Sequence, residues 1–151
     1  MNYKYVSPLV MWAIVLVGVV SSLLMLSRDK LFNVGRFNVL IFGLGFLYWL
    51  YWLIGGIYEH KNAGKSVARI DRIVTSGVYA SVRHPIYHGD LVFGWAIFFS
   101  LPSIAMLFAV IWASAVFLIW ANVEEMALSR KFGKEYTDYK KKVGMIVPRV
   151  W

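Results

Sequence analysis

The chain has 151 residues, 60% of them hydrophobic and 17% aromatic, with a mean hydropathy of +0.61; soluble domains are roughly 45–50% apolar, so a water-soluble globule is excluded. It holds no cysteine, which removes disulfides, a thiol nucleophile and thiolate-bound metal from consideration. The net charge of +8 comes from Lys and Arg bordering apolar stretches, a placement suited to anionic lipid headgroups rather than nucleic acid.

In chain order, residues 8–26 carry no charge until Arg28 and are about as long as the ~20 residues a bilayer-crossing helix needs. This span is expected to be retained, because Ser21 and Ser22 give way to Leu-Leu-Met-Leu rather than to a small-residue cleavage site. Residues 39–57 form a second uncharged run, with Trp and Tyr at its centre and end, as suits a membrane interface. Residues 58–85 are polar and hold Lys61, Lys65, Arg69, Arg72 and Arg83. Residues 86–100 and 103–121 are two more apolar runs, joined at Leu101-Pro102 as a helical hairpin. Beyond Ala121, Leu128, Phe132, Tyr136, Tyr139 and Val143 recur at helical steps with Lys and Arg between them, which predicts an amphipathic helix lying on the membrane.

The expectation is therefore a single all-α membrane domain over 1–151, with about four transmembrane helices and an amphipathic C-terminal helix. Four spans put Lys4, the 58–85 segment and the 122–151 segment on one side, with 13 Lys and Arg against 3 in the first loop. The positive-inside rule assigns that side, and both termini, to the cytoplasm.

Three local patterns carry no function. Gly43-Leu-Gly45 lies inside an apolar span without a third glycine or a preceding strand, so no dinucleotide site is expected. Gly64-Lys65-Ser66 ends like a phosphate loop, but Glu59 stands where its first glycine is needed. His84 and His88 sit four apart, yet with no recognised metal-helix spacing, so no metal is expected.

The segment from Thr75 to Gly89 is different, since it brings Tyr79, Arg83, His84, Tyr87 and His88 to the entry of the third span. Pro85 suits a first helical turn, whose free N–H groups favour an anionic group. Four spans bring Glu124 and Glu125 to the same depth. Taken singly, Arg83 fits a lipid-facing anchor, His84 a loop cap and the glutamates the start of a surface helix. Asp90 is either a site residue or a partner for Arg83 or His88. Together, these charges of both signs suit a zwitterionic cofactor with carboxylate, amine and hydroxyl groups, of which S-adenosylmethionine is one candidate. Methyl transfer from it depends mainly on alignment and exclusion of water, with a carboxylate orienting groups or accepting a proton.

The pattern Gly77-x-Tyr79-x3-Arg83-His84-Pro85-x-Tyr87-x-Gly89, then Glu124-Glu125-x2-Leu128-x3-Phe132-Gly133-x2-Tyr136-x2-Tyr139-x3-Val143-x4-Pro148, resembles the isoprenylcysteine carboxyl methyltransferase family and its phospholipid methyltransferase relatives. The resemblance covers about residues 61–148. It implies an integral membrane methyltransferase that uses S-adenosylmethionine at the cytoplasmic face on a lipophilic acceptor arriving from the bilayer. It also implies cofactor contacts by Gly77, Tyr79, His84, Pro85, Tyr87, Gly89, Glu125, Tyr136 and Tyr139, with catalytic roles for Glu124 and Arg83. Where prenylcysteine-type members often carry an arginine, Trp120 stands here, which points away from a carboxylate acceptor and toward a phospholipid amine or another lipophilic nucleophile. Trp120 would face an acyl chain, or a cationic headgroup by cation–π attraction, or would face lipid. The alternatives are an NADPH-dependent reductase of the sterol-reductase type and a non-catalytic lipid-binding membrane protein.

Overall fold

A computed structural model describes residues 7–61 and 65–149; Lys4 and Gly64, used above in the charge count and the phosphate-loop comparison, lie outside the described residues. The described chain is helical: α1 (Pro8–Met25), α2 (Arg36–Glu59), 3-10 turns at Val67–Arg69 and Gly77–Ala80, α3 (Pro85–Ser100), α4 (Ile104–Phe132) and α5 (Lys134–Lys142). No strand occurs among these residues; two isolated bridges join Lys30 to Ser103 and Val82 to Gly144.

Local chemistry explains the boundaries. Proline opens α1 and α3, where a missing N–H costs nothing. Ser103 caps α4, its hydroxyl accepting from the Met106 amide at 3.1 Å. Three helices, α1, α2 and α4, are long and apolar enough to cross a membrane. α3, with 16 residues, is about 24 Å long at ~1.5 Å per residue, somewhat short of a ~30 Å hydrocarbon core. Large apolar side chains point outward, Leu9 at 79% and Phe37 at 81% exposed among them, as lipid contact requires and water would penalise.

The largest difference from expectation is at the C-terminal end. α4 does not stop near Ala121 but runs to Phe132, because Glu, Met, Ala, Leu, Arg and Lys fill all of 124–131 except Ser129 and favour helix. Glu124 and Glu125 thus project from a continuous helix instead of opening a surface helix. The break comes at Gly133, whose φ of +57 is disfavoured for residues with a Cβ. The apolar stripe is consequently shared by two helices, and Leu128, Phe132, Tyr136, Tyr139 and Val143 fold onto one cluster with Ile73.

Helix pairing places everything else. α2 packs against α3 and α1 against α4, and α3 joins the two pairs through α4. The main core lies between α1, α3 and α4: Met11, Val15, Tyr87, Val116, Phe117 and Ala121, joined by Ile146 from the tail. At one end, Leu31 N donates to Pro102 O at 2.8 Å and Ala105 N to Ser27 O at 3.0 Å, closing the two short loops against each other. The polar segments meet at the other end. There Lys131 Nζ donates to the carbonyls of Val67, Ala68 and Ile70, tying that stretch to α4.

Candidate functional site

Two residues before α3, the backbone is fixed by the tail. Arg83 N donates to Gly144 O at 2.9 Å and His84 N to Met145 O at 3.1 Å. The amides just ahead of the helix are therefore satisfied by protein carbonyls. Arg83 is turned inward, its Nε 2.6 Å from Glu125 Oε1, while its Nη1 donates to the carbonyls of Lys140, at 3.1 Å, and Val143. Lys140 Nζ holds the other Glu125 oxygen at 2.8 Å. Arg83 and Glu125 side chains are 8% and 5% exposed, so this charge pair sits out of water, where each partner needs the other.

Glu124, the neighbouring carboxylate, faces a different way. Tyr87 Oη donates to its Oε1 at 2.9 Å, and His84 Nδ1 lies 3.5 Å from its Oε2. The His84 ring stacks on Tyr87 with centroids 5.5 Å apart and planes 5° from parallel. Its Nε2 is 3.6 Å from Glu125 Oε1, too long for a hydrogen bond, and is buried without a hydrogen-bond partner among the described residues. Burial disfavours the charged imidazole, but Glu124 and Glu125, one near each ring nitrogen, outweigh it and raise the His84 pKa above 6.5. Burial is also the first reason that the hydroxyls of Tyr79, Tyr136 and Tyr139 titrate above their ordinary value, so these remain neutral donors. Tyr139 Oη uses its proton on Tyr79 O, at 2.6 Å, fastening α5 to the Gly77–Ala80 turn.

These residues surround a cavity of about 140 Å³ that opens on one side. Its lining includes Tyr79, Arg83, His84, Pro85, Tyr87, Glu124, Tyr136 and Tyr139, so most of the residues singled out in the sequence converge there. Gly77, Gly89, Glu125 and Trp120 do not line it. Gly77 has φ +55, and a Cβ there would collide with the Glu59 carboxylate; Ser76 donates to the same carboxylate at 2.8 Å. Gly89 lies against α2, where a Cβ would come 3.0 Å from that of Trp52. Trp120 packs on the Met11–Val15–Phe117 core, and its buried indole N–H has no hydrogen-bond partner among the described residues. Asp90 pairs with neither Arg83 nor His88; its Oδ1 accepts from Trp49 Nε1 at 2.7 Å.

Sequence reading did not single out Pro8 and Trp12 of α1, Lys65, Arg72 and Ile73 of the loop, or Leu128 as cavity walls, nor Lys140 as a partner of Glu125. Lys140 stands in a run of three lysines that nothing local distinguishes, and the carbonyls of Val143 to Ile146 have no sequence signature at all.

Among known proteins, aligned parts of the chain are 39% identical over 75 residues to a methanethiol S-methyltransferase of a Pseudomonas species, covering 48% of this chain and 27% of that protein. They are 39% identical over 79 residues to the protein-S-isoprenylcysteine O-methyltransferase of Mus musculus, covering 50% and 27%. The match to methanethiol S-methyltransferase 1 of Bradyrhizobium diazoefficiens is 36% over 98 residues, covering 62% and 32%. The chain thus spans under a third of the length of each of these three relatives. The phospholipid methyltransferase family profile matches residues 37–135. Running from α2 through the Arg83–His84–Pro85 turn and the paired glutamates, over more than half of the chain, that match makes this protein a member of the phospholipid methyltransferase family.

Proposed function

We propose that the protein is an S-adenosylmethionine-dependent methyltransferase acting on a lipophilic acceptor at the cytoplasmic face of a membrane that α1 to α4 all cross, with both termini in the cytoplasm. One observation carries the reading: His84, Tyr87 and Glu124 form a connected polar group on the wall of a cavity whose other sides are Pro8, Trp12, Ile70, Ile73, Val74 and Leu128. Family membership and the methyltransferase names of the relatives support it.

The residues fit the cofactor that the family implies. Lys65 and Arg72 offer cationic groups for a carboxylate, and Glu124 an acceptor for an ammonium or hydroxyl. Tyr79 and Tyr139 line the same cavity with their rings. When bound, the cofactor supplies an electrophilic methyl group on a sulfonium. Glu124, oriented at one oxygen by Tyr87 and near the other by His84, takes a proton from the acceptor heteroatom. Arg83 and Lys140 hold Glu125 and the tail in place, so their part is to keep the cavity wall rigid. Trp12, Ile73 and Leu128 exclude water from the reacting region.

The test is calorimetric titration of purified protein in detergent with S-adenosylhomocysteine and separately with NADPH. Saturable binding of the first and none of the second is expected; the reverse result would replace this reading by a nicotinamide-dependent one. Incubation with radiolabelled methyl donor and a total lipid extract then identifies the acceptor by the species that gains label.

A further inference from the structure

One polar contact beyond the cavity joins three separate parts of the fold. His88, one helical turn after His84 on α3, has its Nδ1 2.8 Å from Ile146 O and its Nε2 2.6 Å from Tyr48 Oη of α2. A carbonyl only accepts, so Nδ1 carries the hydrogen, and in the neutral ring Nε2 accepts from the tyrosine hydroxyl. Trp52 meets the ring edge-on, with centroids 4.6 Å apart. His88 is therefore held by α2 and itself holds the tail.

The tail segment it holds lies along the cofactor-side turn. Residues 144–146 receive three successive hydrogen bonds: Arg83 N to Gly144 O, His84 N to Met145 O, and His88 Nδ1 to Ile146 O. Just before it, Val143 O accepts from Arg83 Nη1 and Lys140 reaches Glu125. Just after the first two bonds, Ile146 enters the core with Met11, Val15 and Tyr87. The His88 bond is the last of the series and the only one of the three made by a side chain.

We infer that His88 is a positioning residue of the cofactor site, fixing the register of the 144–146 segment against the Arg83–His84 turn. The inference rests on the proposed methyltransferase reading for its ligand. It does not rest on it for the contact itself. Without the Nδ1–H bond the segment keeps two main-chain hydrogen bonds and the core packing of Ile146, and loses the contact that sets its register along the Arg83–His84 turn.

The test compares His88→Asn, which keeps a donor near the Nδ1 position, with His88→Gln, which places its amide nearer the Nε2 position, and with His88→Leu, which keeps neither. S-adenosylhomocysteine affinity is measured by calorimetry in detergent, and amide exchange of Arg83 and His84 is followed without ligand. Loss of one buried hydrogen bond corresponds to about five- to tenfold. The Leu and Gln variants are expected to bind about that much more weakly and to exchange those two amides faster, whereas Asn recovers most of both. Equal behaviour of all three variants, or recovery by Gln and not Asn, overturns the inference. If the unaltered protein binds no S-adenosylhomocysteine, the functional reading fails, and the exchange rates alone decide whether His88 holds the segment.

Discussion

Arg83 and Glu125, 42 residues apart in sequence, meet at 2.6 Å with both side chains nearly sealed from water. This pair joins α3's entry to α4 and, through Lys140, to α5. Glu125→Gln leaves the Arg83 guanidinium buried without its counter-charge, which costs on the order of 3 kcal/mol. A clear fall in thermal unfolding temperature in detergent is expected. An unchanged temperature would mean that Arg83 finds equal solvation elsewhere.

Glu124 differs in kind from its neighbour, because its carboxylate faces the cavity and is bonded by Tyr87. Under the proposed function, Glu124→Gln lowers methyl transfer by about a hundredfold or more, with a much smaller change in unfolding temperature than Glu125→Gln. Turnover at the unaltered rate would remove Glu124 from the chemistry.

His84 sets a pH dependence. Its pKa is raised in the folded protein above 6.5, so the folded state binds its proton more tightly than the unfolded chain. The stabilisation is fully present below pH 6.5 and is lost as pH rises through the folded value. Unfolding temperature should accordingly fall over that window in the unaltered protein, and His84→Gln should flatten the fall. A variant with the same slope would assign the titration to another group.

Gly133 separates α4 from α5 at φ +57 and ψ −123, and a Cβ added there would meet nothing within 4 Å. Gly133→Ala should therefore cost only backbone strain, about 1–3 kcal/mol, read in the same unfolding assay. Gly77→Ala meets the same kind of strain plus the Glu59 side chain and should cost more. Equal losses would show that Glu59 moves aside freely.

The absence of cysteine permits a direct test of four spans. Arg28→Cys and Lys142→Cys place single thiols on exposed residues at opposite ends of the fold. With four crossings, a membrane-impermeant maleimide added outside sealed cells labels the first and not the second. Labelling of both would mean that α3 does not cross.

Much of this was legible in the residues themselves. Uncharged runs marked α1 and α2 to within three residues of their observed limits, since burial of backbone in lipid demands helix and long apolar stretches. The spacing from Gly77 to Gly89 and from Glu124 to Val143 carried the family. The four-step recurrence of Leu128, Phe132 and Tyr136 correctly grouped the residues that cluster, but periodicity is blind to a break that preserves the buried face, and Gly133 made one.

Helicity, apolar runs and their basic flanks are readable from composition and period, because these are local properties. The packing of the helices, by contrast, assigns Arg83 to Glu125, and Glu124 to Tyr87 and His84. Two adjacent glutamates on a helix point about 100° apart, and which one meets the cavity depends on the rotation of α4 against α3. It likewise decided that the tail's carbonyls, which every residue possesses alike, are what hold the Arg83–His84 turn.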